Sequence, residues 1–353
     1  DAAYMANPAV GYIKINRFSK TTMKEFSEAM DGLDKEQMSG MILDLRGNGG
    51  GYLQTAIDLA DEFIDKSKLI VYTEGQKQPK IRYNATKNGS FTNGNLIVLI
   101  DEGSASASEI VSGAIQDWDR GLIMGRRSFG KGLVQKPYML SDGSVIRLTT
   151  ARYYTPSGRC IQKPYDGDIE EYQKEILNRY EAEGMAYYDS LDVVDSLTFK
   201  TDKNRIVLGG GGIMPDVFVP LDTTKYTDYY TKLIRKGVLN EFIYDYLDKN
   251  RKELNAQFSD SKAYISGFVV EDDLVASLKA HGSEDNIVPL NEDEWMATLP
   301  TMKNDIKALI ARNLYGNNAY YQIANQLNDT YLKALEVMQD DSFEWTELSY
   351  KPK

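Results

Sequence analysis

The sequence predicts an α/β core followed by a separate, mainly helical C-terminal region. Two observations carry this. Up to about residue 125, short unbroken apolar runs alternate with stretches whose apolar residues recur at helical spacing, the pattern of a sheet covered by helices. After Leu221 the texture changes to long helical periodicities.

Taken in order, Gly11 to Phe18 (GYIKINRF) alternates as a strand does, and Thr22 to Leu33 reads as an amphipathic helix. Met41 to Leu45 is an apolar strand, followed by a glycine cluster and a helix from about Leu53 to Ile64. Leu69 to Tyr72 and Ile81 to Tyr83 are short strands around a polar loop. Leu96 to Ile100 is unbroken apolar sequence, the mark of a strand buried on both faces. It stops at Asp101-Glu102-Gly103 and gives way to Ser104-Ala105-Ser106-Ala107-Ser108. A helix follows, with Ile110, Val111, Ala114 and Ile115 on one stripe. Leu122 to Met124 is the next strand. Leu133 to Leu140 and Ser144 to Tyr154 read as a hairpin turning at Asp142-Gly143. Asp166 to about Ser196 is charged and Tyr-rich, a helical insertion ahead of GGGGIMPDV and the strand Val217 to Val219. Beyond it, Tyr226 to Phe258, Trp295 to Leu314 and Ala319 to Met338 read as helix, with Trp295, Tyr320 and Tyr321 in the packing. The predicted limits are 1–221 for the core, with its insertion at about 166–196, and 222–353 for the helical region.

Composition narrows the function classes. The 353 residues suffice for two or three domains, and 42% hydrophobic content supports a sizeable core. No apolar run approaches the ~20 residues that span a bilayer. A net charge of −11 argues against a nucleic-acid partner, which needs concentrated Lys and Arg. One cysteine, Cys160, allows no internal disulfide, and with one histidine, His281, a zinc site is disfavoured. The start at Asp1, with neither Met nor a signal-like segment, reads as a processed or truncated piece.

The chemistry-bearing stretch runs from Asn95 to Gln135. A serine at the strand-to-helix junction lies near backbone N–H groups without intrahelical partners and at the positive end of the helix dipole, where a nucleophile and its oxyanion can both be held. Ser106 and Glu109 also have the S-x-x-E spacing of a capping box. His281 sits in a polar Ala-His-Gly-Ser-Glu-Asp stretch far from this segment, read as a surface loop. The better base for Ser106 is Lys131, in Phe129-Gly130-Lys131-Gly132. Free lysine titrates near ~10.4, so it acts as a base only where burial or a nearby cation lowers that value. No Asp or Glu lies between Arg120 and Leu140 to oppose this. Gly125 to Gly132 nearly matches a phosphate-binding loop, but Gly132 stands where a Ser or Thr hydroxyl is required and a strand follows where a helix should, so nucleotide binding is disfavoured.

Five segments together, DLRGNGGG (Asp44 to Gly51), SASASEI (from Ser104), GKGLVQ (to Gln135), TARYYTPSGRCIQ (Thr150 to Gln162) and GGGGIMPDV (Gly209 to Val217), resemble the C-terminal processing peptidases, or tail-specific proteases. The resemblance covers about Gly11 to Leu221 and implies a crotonase/ClpP-like version of the core. It implies Ser106 as nucleophile, Lys131 as base and Gln135 as the residue holding Lys131. It further implies an oxyanion hole from the N–H of Ala107 and that of Gly49 or Gly50. Ser104, Ser108 and Cys160 are then structural. No cofactor or metal is implied. The implied partners are protein or peptide substrates engaged near their C-termini, and the implied location is the bacterial periplasm or envelope. Family members usually carry a PDZ-like domain, and none is visible here. The assembly state is left open, a homo-oligomer included. Two other classes fit part of the pattern: a crotonase-like acyl-thioester enzyme, indifferent to Ser106 and Lys131, and a non-catalytic peptide-binding scaffold.

Overall fold

A computed structural model describes residues 1–163 and 197–340. The insertion expected at about 166–196 lies outside the described residues. The chain divides into two compact units, one of Met5–Pro220 with the stretch beginning at Lys333, the other of Asp1–Tyr4 with Leu221–Leu332.

The first unit holds, from Met5 onward, a six-stranded sheet ordered β1 (Ala2–Asn7), β2 (Val10–Lys14), β3 (Gly40–Asp44), β6 (Asn95–Ile100), β7 (Leu122–Gly125) and β12 (Val217–Phe218). From β2 to β12 neighbouring strands are parallel. Parallel pairing needs crossover segments and buries both faces, which is why β3 and β6 read as continuous apolar runs. Met41 to Leu43 and Leu96 to Ile100 have no exposed surface. The helices α1 (Thr22–Gly32), α2 (Leu53–Ala60) and α3 (Ala107–Asp117) lie in those crossovers. A second sheet, antiparallel, is ordered β5 (Gln78–Asn84), β4 (Leu69–Gly75), β9 (Val145–Tyr154), β8 (Leu133–Met139), and β10 (Thr198–Lys200) pairs with β11 (Ile206–Leu208).

The register decides where chemistry can sit. Asp44, ending β3, is level with Leu99, and Ile100, ending β6, is level with Gly125, ending β7. The three segments that follow these strands, 45–51, 101–106 and 126–132, therefore leave the same edge of the sheet side by side. Carboxyl ends of parallel strands are where α/β proteins place ligands.

The second unit is helical: α4 (Asp228–Arg235), α5 (Val238–Gln257), α6 (Ser261–Gly267), α7 (Asp272–Glu284), α8 (Glu292–Tyr315), α9 (Asn317–Ala324) and the start of α10 (Asp329–Gln339). Leu233, Ile243, Leu247, Tyr264, Met302 and Ile306 form its interior. Tyr264 stacks on Phe268 with ring centroids 4.7 Å apart, and half-buried Trp295 and Tyr320 pack against the same core.

Several expectations need correction. Helix α2 stops at Ala60, and turns continue to Phe63. The helix expected over Tyr226 to Phe258 is two, broken at Gly237, whose φ of 79° no helix residue adopts. The stretch Ala319 to Met338 is interrupted by a 3-10 turn, Asn325–Leu327. His281 is not in a loop: it occupies the last turn of α7, half-buried, its ring 5.9 Å from that of Phe242. Strands β1, β10 and β11 and helices α6 and α7 were not foreseen. Among the described residues no helix is long and apolar enough to cross a membrane, and no group of three His, Cys, Asp or Glu side chains could hold a metal ion.

Candidate active site at the ends of the parallel strands

The glycine segment after β3 is anchored from beneath by Asp44, which is fully buried. Its carboxylate accepts from Tyr12 Oη at 2.7 Å, Lys14 Nζ at 3.2 Å and the Arg46 side chain and backbone N–H. Burial alone would raise this carboxyl, but the charges of Arg46 and Lys14 and the hydrogen bonds from Arg46 and Tyr12 win, holding it well below the usual carboxylate range.

Asn48, also fully buried, joins this segment to the serine turn. Its Nδ2 donates to the Ile15 carbonyl and its Oδ1 accepts the Gly50 N–H at 2.9 Å. Its carbonyl accepts the Ala105 N–H at 2.9 Å and Ser108 Oγ at 2.7 Å. Ser104 Oγ donates to the Leu45 carbonyl at 2.8 Å. The flanking serines are thus both buried and both tied to the glycine segment. A Cβ on Gly50 would stand 2.7 Å from the Ala105 carbonyl and 2.8 Å from Ser106 Cβ, so only glycine permits this approach of the two turns.

Ser106 is the residue before the first turn of α3, with φ 56° and ψ −107°. For a residue with a Cβ this is sparsely populated backbone, costing on the order of 1–3 kcal/mol and held only when the surroundings over-determine it. The surroundings are Asn48 below and the Glu109 carboxylate, which accepts the Ser106 N–H at 2.7 Å. Glu109 is fully buried and takes three further hydrogen bonds, from Ser128 Oγ at 2.5 Å, the Gly130 N–H at 2.7 Å and the Lys131 N–H at 2.9 Å. Burial still raises its carboxyl, the four donors offsetting only part of that push.

Lys131 follows β7 in a segment held on both sides. Its N–H goes to Glu109, and its carbonyl accepts Tyr153 Oη. The Tyr153 hydroxyl also interacts with the Ser106 side chain, and burial pushes it well above the tyrosine range, so it remains a donor. The Lys131 side chain lines a cleft of about 570 Å³ with Gly49, Asp101, Glu102, Ala105 and Phe129. Two carboxylates thus share the cleft with Lys131, although none is near it in sequence. Glu102 pairs with Arg126 and Asp101 accepts the Gly47 N–H, so both carry partners.

Among the described residues, the N–H groups of Gly49, Gly51 and Ala107 have no acceptor; Gly49 and Gly51 are exposed and Ala107 is buried. The first N–H groups of a helix are orphaned by its geometry, which accounts for Ala107. The Gly50 N–H is occupied by Asn48, which separates the two glycines the sequence could not tell apart. Lys131 Nζ makes no hydrogen bond among the described residues, to Ser106 Oγ or to any other atom. Gln135 stands apart: it is exposed on β8, level with Thr149, and makes no hydrogen bond to Lys131. The turn expected to bring the two together does not form, because the chain is extended from Leu133 onward.

The remaining motifs meet in a buried polar network. Arg159, fully buried, reaches Gln116 Oε1 and Asp117 at 2.7 Å. Gln116 donates to Asp216 at 2.8 Å, and Asp216 also accepts Arg205 and the Ile123 N–H. Arg159 and Asp216 therefore brace α3 from its far end. Burial raises the Cys160 thiol, so nothing there marks a reactive thiolate.

Residues 9–171 match peptidase family S41, and residues 229–316 match a family of unknown function. The carboxyl-terminal-processing protease of Synechocystis sp. (strain ATCC 27184 / PCC 6803 / Kazusa) is 42% identical over 155 residues, covering 44% of this chain and 36% of its own. The carboxy-terminal processing protease CtpA of Bacillus subtilis (strain 168) is 40% identical over 159 residues, covering 45% of this chain and 34% of its own. Among solved structures, a photosystem II D1 C-terminal processing protease aligns with TM-score 0.41 and 38% identity, over 43% of this chain and 39% of that one. The chain thus spans little more than a third of the length of these relatives.

Proposed function

We propose, from the match of residues 9–171 to peptidase family S41, that the chain is a serine endopeptidase of the C-terminal processing type. Ser106 Oγ attacks the carbonyl carbon of the scissile peptide, and Lys131 Nζ takes its proton. The oxyanion rests on the N–H groups of Gly49 and Ala107. As the C–N bond breaks, Lys131 returns the proton to the leaving amine. Water then attacks the acyl-enzyme ester with Lys131 again as base, releasing the new C-terminus and restoring Ser106.

The observation that carries the reading is a serine in strained backbone at the start of α3, beside the unpaired N–H of Ala107 and the glycine segment whose Gly49 N–H is also unpaired. The Ala107 N–H is unpaired in a buried residue and the Gly49 N–H is unpaired in an exposed one, so both are open to an anion that forms beside Ser106. Lys131 lines a cleft with Gly49 and Ala105, and catalytic contacts of this kind tighten when substrate binds. Gln135 reaches Lys131 in this reading only if the start of β8 shifts. By analogy with the named relatives, the substrates are proteins cleaved near their C-termini, and the location lies outside the cytoplasm.

A fluorophosphonate probe tests this directly. It should label the chain at Ser106, and Ser106→Ala should abolish labelling while EDTA leaves it unchanged. The lack of a Ser106–Lys131 hydrogen bond favours one alternative, a peptide-binding scaffold with a misaligned dyad. Failure of the unaltered chain to label would favour that alternative.

A further inference from the structure

A buried ionisable group at the site has no role in the proposed mechanism. Glu109 reads in sequence as a helix cap, yet only one of its four hydrogen bonds is a cap. The other three go to the segment 128–131, about twenty residues away. The division between its oxygens is specific. Oε2 accepts both the Ser106 N–H and the Lys131 N–H, and Oε1 accepts both Ser128 Oγ and the Gly130 N–H. One carboxylate oxygen therefore bridges the backbone of the hydroxyl-bearing residue and that of the amine-bearing residue.

We propose that Glu109 is a positioning residue that fixes Ser106 and Lys131 relative to each other by bridging their backbone N–H groups through a single oxygen. The proposal rests on the peptidase reading. A carboxylate is needed because all four partners are donors, and an ionised carboxylate is acceptor-only on both oxygens. A glutamine in the same space must turn its NH2 toward one pair of donors, whichever way the amide is flipped. Either the Ser106–Lys131 bridge or the Ser128–Gly130 pair is then set donor against donor. The anchoring is reinforced by Ser128, whose Oγ also accepts the Ile213 N–H at 2.6 Å, and by Tyr153, which holds the Lys131 carbonyl. The Lys131 peptide is thus fixed at both ends while its side chain stays unpaired among the described residues.

The test uses the full chain and Glu109→Gln, read by fluorophosphonate labelling and by amide hydrogen exchange. A displacement of about 1 Å between reacting groups costs on the order of 10²-fold, so the labelling rate of Glu109→Gln should fall by about that factor. Exchange at Gly130 and Lys131 should quicken by about 10- to 100-fold while Leu96 to Ile100 keep their protection, a pattern that general destabilisation would not give. Labelling of Glu109→Gln within about threefold of the unaltered chain would overturn the proposal. Should Glu109→Gln not fold, exchange in the unaltered chain decides. The Ser106 and Lys131 amides share one acceptor and should be protected together, and an unprotected Lys131 beside a protected Ser106 overturns the bridge. Absence of labelling in the unaltered chain would overturn the peptidase reading itself, and exchange would then judge the bridge alone.

Discussion

In the α/β unit Lys14, Asp44, Glu109, Asp117, Arg159 and Arg205 are buried, whereas the buried polar residues described in the helical unit, such as Thr298, Thr301 and Asn325, are neutral. The helical unit is held by apolar and aromatic contact: Leu247, Tyr264 and Met302 inside, with helix ends closed by single side chains such as Thr227. Such an interior is favourable at roughly 25 cal/mol per Å² of apolar surface and tolerant of small shifts. Buried charges gain little net stability, because desolvation offsets most of their attraction, but an unpaired one is costly. Their geometry is therefore the part of the molecule least free to change. Lys14, Asp44 and Glu109 lie under the segments that follow β3, β6 and β7, while Asp117, Arg159 and Arg205 fix the far end of α3.

Variants at three positions sharpen this contrast. Lys131→Ala should lower peptide cleavage and fluorophosphonate labelling by about 10³-fold or more, as loss of a nucleophile's base does. Its unfolding free energy should stay within about 1 kcal/mol of the unaltered chain, because the amine has no partner among the described residues. A large loss of stability would mean that Lys131 is structural after all.

Asp44→Ala should be the reverse, destabilising by about 3–5 kcal/mol by leaving Lys14 and Arg46 buried without their carboxylate. The pH dependence follows from the sign of the Asp44 shift. Its carboxyl is lowered in the fold, so its contribution is complete above its ordinary value of 3.8 and is lost as pH falls below that. Urea midpoints between about pH 5 and pH 2 should drop for the unaltered chain and more shallowly for Asp44→Asn. Equal slopes would remove Asp44 from the account. Glu109 has the opposite sign: raised by burial, it costs the fold stability as pH climbs above its ordinary value.

Thr227→Ala, in the helical unit, should cost only about 1 kcal/mol. It removes an oxygen that accepts the Tyr230 N–H at 3.2 Å and contacts Thr298 Oγ1 at 2.7 Å. Thermal unfolding measures it, and a loss of several kcal/mol would show that this unit also depends on polar contacts.

What the sequence made legible follows the same division. Strands β3 and β6 were plain because burial on both faces leaves no polar residue to interrupt the run. The segments around Ser106 and Lys131 were plain because tight turns restrict residue choice to Gly, Ser and Ala. The break at Gly237 was not, since the helical period continues through it and only the positive φ marks the end. Strand β1, AAYMAN, has no alternation to read. Asn48 and Tyr153 escaped notice because their hydrogen bonds reach across the fold, to Ile15 and Lys131, and a bond between distant residues leaves no local pattern. Glu109 was visible only as a cap, the one of its roles that is short in sequence. The pairing of Lys131 with Gln135 was implied by the motif resemblance, and a motif match cannot tell a turn from the start of an edge strand.

The fixed peptide of Lys131 has a kinetic consequence. With its N–H and carbonyl both engaged, what separates the amine from the rest of the cleft is rotation about the bonds of its own side chain. Such rotations are complete in picoseconds to nanoseconds, against turnover times of about a millisecond to a second. An amine on that tether samples its reach a million times or more per catalytic cycle, so solvent viscosity should register in product escape and not in proton removal.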